Sequence, residues 1–225
     1  MIIGDPNRFA IESEIVVAFE RRMLLAYGSF VIHIGGHCYG DEDAEETPLL
    51  SNALHEVECL LAGRGCHTAP FASEPDAGRI ANACEDSYRD PIWTPDEERE
   101  WFFGLTQEEF RELIRINRCG WGGITPYLFS DLSNILQFDV GDRVRLIGFK
   151  GNTAGDWYHD PAILAEVRLD TDEFYHILEA WRGAVEAEWA AAPKTPKSKD
   201  GANSFIKDQG TKYGLSPYWD EAQWD

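Results

Sequence analysis

Phe9-Ala10-Ile11-Glu12-Ser13-Glu14-Ile15-Val16-Val17-Ala18-Phe19-Glu20 decides the fold class. Phe9, Ile11, Ile15, Val17 and Phe19 fall on one side of an extended chain, and Glu12, Glu14 and Glu20 on the other. Side chains alternate across a strand with a period of two, so the pattern marks a strand with one face buried and one wetted. Ser29 to Ile34 repeats it, with Phe30, Ile32 and Ile34 on one face, and Gly35-Gly36 supplies the turn that follows. The economical reading is a pair of early antiparallel strands.

Helical signals follow. Thr47 reads as an N-cap with Pro48 at the first helical position. Leu50, Leu54, Val57 and Leu61 then form an apolar stripe that Gly63 ends. Thr106-Gln107-Glu108-Glu109 is a capping box that opens a helix carrying Phe110, Leu113 and Ile114 and ending by Gly120. Asp170 is placed to cap a further helix, whose stripe is Phe174, Ile177, Leu178, Trp181 and Val185. Just before it, Ile163, Ala165, Val167 and Leu169 alternate as a strand. Residues 124–149 read as further strands with a turn at Val140-Gly141-Asp142. Val144 and Leu146 share one face there while Ile147 and Phe149 take the other, which predicts a bulge or a change of burial near Ile147. Pro70, Pro75, Pro91 and Pro95 interrupt any long element across residues 64–95. The expectation is an α+β fold, a mainly antiparallel sheet packed with helices. It is a single domain over residues 1–190, followed at 191–225 by a linker and a partly docked aromatic segment containing Phe205, Tyr213, Tyr218, Trp219 and Trp224.

Charge is the outstanding bulk property. Forty Asp and Glu oppose twenty Lys and Arg, for a net charge of −20. The excess is uneven: −13 over residues 1–100, zero over 101–150 and −7 over 151–225. Such a field repels nucleic acid and anionic lipid and attracts basic partners. With 44% apolar residues the chain has material for a core, and no stretch reads as a membrane-spanning helix. The opening residues lack the basic and apolar regions of a secretory signal, so a cytoplasmic location is expected. Cys38, Cys59, Cys66, Cys84 and Cys119 are odd in number and irregularly spaced, as free thiols in a reducing compartment would be.

No motif commits the chain to chemistry. Cys59, Cys66-His67 and Cys84, with His37-Cys38 upstream, gather zinc-ligating residue types but contain no Cys-x-x-Cys pair, so no metal is assigned. Gly120-Trp121-Gly122-Gly123 lacks the features of a phosphate loop or a dinucleotide fingerprint and reads as a turn, and no cofactor is assigned. Asp156, His159 and Asp160 place two carboxylates beside an imidazole, the basis of a rival reading as a hydrolase-type enzyme. The stronger signals are acidic. Asp41, Glu42, Asp43, Glu45 and Glu46 crowd one loop. Asp96, Glu97, Glu98 and Glu100 follow Trp93 and precede Trp101-Phe102-Phe103. Carboxylates beside large aromatics suit a protein interface, because the rings anchor and the charges steer. A second rival, an acidic scaffold or DNA mimic, rests on the same charge.

Taken together, Ile2-Ile3-Gly4-Asp5-Pro6, Phe9-Ala10-Ile11 and Glu14 resemble the opening of a bacterial immunity-protein family, the one numbered forty-two among the polymorphic toxin systems. Gly28 to Gly36, Val144 to Gly151 and the strand–helix unit from Ile163 to Trp181 extend the likeness. The resemblance implies a protein that binds and neutralises a cognate bacterial toxin effector without catalysis. It offers no catalytic residues. The charge implies that the toxin carries a basic surface.

Overall fold

The computed structural model describes residues 1–20, 25–40, 49–89, 94–121, 129, 131–151 and 159–195. The predicted opening pair is present: β2 (Phe9–Phe19) and β3 (Ala26–Ile34) run antiparallel. The Gly35-Gly36 turn, with φ of +60° and +82°, leads into the short β4 (His37–Tyr39). These left-handed values cost glycine little because it has no Cβ. Two pieces the alternation does not mark complete the sheet. β1 (Ile2–Asp5) pairs with the first half of β2, and β8 (Lys194–Thr195) runs parallel to its last residues. The sheet order is β1-β2-β3-β4, with β8 on β2. Lys194 and Thr195 are therefore paired in the sheet, where the sequence suggested linker.

The alternation in β2 holds only to Ile15. A register shift between Ile15 and Val17 inserts Val16 as an unpaired, exposed residue, after which Ala18 takes the buried side. A bulge of this kind flips the facing of everything beyond it. Val17 and Phe19 are consequently half-buried rather than core.

The second sheet is β5 (Ser133–Val140), β6 (Arg143–Lys150) and β7 (Ala165–Asp170), antiparallel throughout. Gly141-Asp142 makes the predicted turn. The pairing of β5 with β6 runs without a break, so the change near Ile147 is one of burial and not a bulge. The central strand β6 is covered on both faces. Val144 and Leu146 belong to a large core shared with the first sheet, while Ile147 and Phe149 belong to a second core on the far side.

Helices fill the two sides. α1 (Leu50–Ala62) and α5 (Thr171–Ala191) pack in the large core, with Leu50, Leu54, Val57, Leu178, Trp181 and Val185 buried. Trp181 is fully buried and its indole N–H donates to Ser13 Oγ at 3.0 Å, satisfying the polar end of a large apolar side chain. Asp170 caps α5 as its position predicted, accepting from Asp172 N. α1 starts at Leu50 with Leu49 as its extended N-cap, later than the Thr47-Pro48 reading; those two residues lie outside the described residues.

α2 (Ala77–Asp86), α3 (Pro95–Trp101) and α4 (Gln107–Ile116) form a layer on the other face of the second sheet. α2 occupies the stretch that four prolines marked as broken. Asp76 caps it by accepting from Arg79 N, and Ile80, Ala81 and Cys84 are buried. In this smaller core Phe71 stacks on Phe110 and meets Phe138 edge-on, and Phe102 packs at a tilt on Phe110. A buried cation locks layer to sheet. Arg145 on β6 is 1% exposed. It makes a bidentate pair with Glu166 of β7 at 3.0 and 2.9 Å and donates to Ala72 O at 2.8 Å and Glu74 O at 2.5 Å. A buried guanidinium is tolerated when its donors are met in this way.

The two sheets meet at Tyr39. Its ring lies against Gly148, where a Cβ would approach ring atoms to 2.5 Å. Its hydroxyl stands 2.6 Å from Ile163 O and 3.0 Å from Gly148 O and, with one proton, donates to one at a time.

Candidate functional site

The described part of the acidic signal is α3 and the start of α4. Thr94 precedes α3 in an extended conformation, and Pro95 takes the first position, where a missing N–H costs nothing. Thr94 N and Oγ1 both donate to Glu97 Oε2, at 3.0 and 2.6 Å. The Thr94 hydroxyl, then its backbone N–H, hold the Glu97 carboxyl below its ordinary range. Glu98 Oε1 accepts from Gln107 N at 2.8 Å and so joins α3 to the start of α4. Arg79 from α2 donates to Glu100 O at 2.8 Å. The predicted capping box is present at α4, where Thr106 and Glu109 exchange bonds.

This local construction sorts the four predicted acids. Glu97 and Glu98 engage their carboxylates in helix starts. Asp96 and Glu100 are exposed. Trp101 is half-buried and Phe102 is fully buried, so the aromatics after the acidic run are largely core. Trp93 and the five loop acids Asp41, Glu42, Asp43, Glu45 and Glu46 lie outside the described residues. The structure adds further acids: Glu108 and Glu109, which belong to the capping-box motif, and Glu112 are exposed on α4. Arg111 and Arg115 on the same helix, and Arg118 just past its end, are also exposed, and Arg115 pairs with Glu112. The neutral balance of residues 101–150 is thus partly a helix with an acidic start and a basic end, the arrangement a helix dipole favours.

The rival catalytic group does not assemble among the described residues. His159 is 2% exposed, and its Nδ1 lies 2.5 Å from Asn82 Oδ1 on α2. Its ring meets Phe149 edge-on. Burial pulls its pKa below the ordinary histidine value, against the pull of Asp160 and Asp76. Asp160 accepts from Ala162 N at 2.9 Å, as in a turn, and Asp156 lies outside the described residues. The zinc-ligating residue types are also dispersed. His67 is buried with Nε2 facing Leu60 O and Nδ1 facing Asn117 O and Arg118 O, at 3.0–3.1 Å. Cys84 is buried and its thiol is held far above its normal range by desolvation. Cys66 is exposed. Among the described residues no three His, Cys, Asp or Glu side chains converge as a metal site, and no helix is long and apolar enough to cross a membrane.

The class these features define is an α+β protein of two antiparallel sheets and two cores, whose buried polar groups hold the fold together and whose acids crowd its outside. The chain belongs to the Immunity protein 42 family, whose model matches residues 1–184. Among solved structures it is similar to a CdiI from Burkholderia dolosa AUO158, at 14% identity and a TM-score of 0.47, covering 82% of this chain and 99% of that one. No curated protein matches it by sequence.

Proposed function

We propose that this protein binds and neutralises a cognate bacterial toxin effector in the cytoplasm, stoichiometrically and without catalysis, and that the toxin presents a basic surface. The match to an immunity-protein family across residues 1–184 carries this reading. The net charge of −20 supports the basic partner, because an acidic surface attracts it before contact and raises on-rates by roughly 10- to 10³-fold. The contact surface is assigned to the acidic loop Asp41, Glu42, Asp43, Glu45 and Glu46 together with Trp93, Asp96, Glu97, Glu98 and Glu100. Asp96 and Glu100 lead within the second group because their carboxylates are exposed. The binding body is residues 1–190, with 191–225 an accessory segment. The deciding experiment is co-purification with the toxin encoded beside the gene, followed by a protection assay. A complex that forms with wild type and with His159→Ala, with protection kept in both, agrees with this reading. Protection lost by His159→Ala while the complex survives would instead favour catalysis.

A further inference from the structure

Outside the proposed contact surface, the first sheet carries a second arrangement of chemical interest. Cys38, His33 and Glu12 lie on three neighbouring strands. His33 and Cys38 face each other across the β3–β4 pair, and Cys38 Sγ is 3.4 Å from His33 Nδ1. On the other side of the ring, His33 Nε2 is 2.8 Å from Glu12 Oε2. Phe9, Ile11, Phe30, Ile32, Ile34 and Tyr39 belong to the large core, so strand alternation places Glu12, His33 and Cys38 on the opposite face.

The order of the three groups is that of an activated nucleophile. A carboxylate only accepts, so Nε2–H donates a hydrogen bond to Glu12, which fixes the tautomer. Nδ1 is then left with its lone pair directed at the thiol. His33 is 7% exposed and cannot swing freely, whereas Cys38 is partly exposed. Glu12 and Cys38 bind opposite nitrogens of one ring, so the three form a line and not a convergent metal cage. The nearest further carboxylate along this face of β2 is the exposed Glu14.

We infer that Cys38 is a reactive thiol, activated by His33 and oriented through Glu12, and that it is a site of modification by hydroperoxides. In the step, the Cys38 proton passes to His33 Nδ1 and the thiolate attacks one peroxide oxygen. The S–O bond forms as the O–O bond breaks, and the departing oxygen takes the proton from the imidazolium. Sulfur is oxidised by two electrons to the sulfenic acid, and hydrogen peroxide is reduced to water. Thiolate character and access govern such reactions.

Three of the other four cysteines are internal standards. Cys66 is exposed without this arrangement, and Cys84 and Cys119 are buried with thiols held above their normal range by desolvation, Cys119 at about 12. The full chain is treated with hydrogen peroxide, sulfenate is trapped with dimedone, and the labelled peptides are quantified by mass spectrometry. Cys38 is expected to react at least about tenfold faster than Cys66. His33→Asn should bring it to the Cys66 rate, and Glu12→Gln should lower it about threefold with Cys66 unchanged. Equal rates at Cys38 and Cys66 in the wild-type chain would overturn the inference without any variant. So would a folded His33→Asn protein in which Cys38 keeps its rate.

Discussion

Glu85 shows how a single residue links burial to pH. It sits half-buried on α2 and accepts from Asn134 Nδ2 at 2.7 Å. Burial pushes its carboxyl up to about 7, with Arg89 offsetting a part. The folded protein therefore favours the protonated form more than the unfolded chain does. The stability this gives is complete below the unfolded value of about 4.3 and is lost as pH rises through about 7. Discounted for partial solvent exposure, the loss between pH 4 and pH 8 should be about 1–2 kcal/mol. Urea unfolding of Glu85→Gln should show that portion of the slope removed and greater stability than wild type at pH 8. A slope identical to wild type would place the pH dependence elsewhere. Gly148 makes a purely steric prediction. A methyl group there meets the Tyr39 ring at 2.5 Å, in a joint where both sheets are packed. Gly148→Ala should cost about 1–3 kcal/mol by overpacking, read as a lower unfolding midpoint with an unchanged m-value. His159→Ala should cost about 2–4 kcal/mol through the lost ring packing and the unpaired Asn82 carbonyl, in the same measurement.

At the scale of elements, the acidic helix divides structural from available charge. Neutralising Glu97 or Glu98 disturbs a helix start. Neutralising Asp96 and Glu100 leaves the caps alone. The double variant Asp96→Asn/Glu100→Gln should slow association with the toxin about two- to tenfold and flatten its salt dependence, with the unfolding midpoint held within about 0.5 kcal/mol. An unchanged association rate would show that α3 is a solvated surface. Elements also separate what could be read from the chain. The alternation in β2 and β3, the capping box at Thr106 and the apolar stripes of α1 and α5 were legible, because each is a local pattern with a local cause. α2 is hidden because Pro70 and Pro75 read as breakers of the whole stretch. They stop just short of Asp76, whose cap begins the helix. β1, β4 and β8 are two to four residues long and carry too few side chains for periodicity to register. The bulge at Val16 is set by pairing with β3, which no single-strand pattern contains. Of the candidate site, the acids of α3 were legible as charge. Their division into caps and exposed groups was not, since it depends on contacts such as Glu98 with Gln107. His33 facing Cys38 was not legible, because it depends on the pairing of the short β4 with β3. Glu12 beside them required the register of a third strand.

For the whole molecule, the second sheet is a partition with one core on each side. The larger includes Trp181, Phe30 and Leu146; the smaller includes Phe71, Phe110 and Phe149. The smaller layer is joined to the sheet by Arg145 and by a core of aromatic and aliphatic side chains. Native-state hydrogen exchange should find amides of α3 and α4 opening at lower free energy than those of β3 and β6. Equal protection throughout would mean that both cores unfold as one unit.

The pairing of Lys194-Thr195 with β2 also has a practical consequence. The chain leaves the described body from the first sheet, while α3 and α4 cover the far face of the second. A sensor chip, bead or fluorophore coupled at Thr195, in a chain ended there, would therefore be attached at the first sheet and away from the helical layer. That orientation leaves Asp96 and Glu100 facing the solution, so a coupled protein remains presentable to a partner arriving from that side.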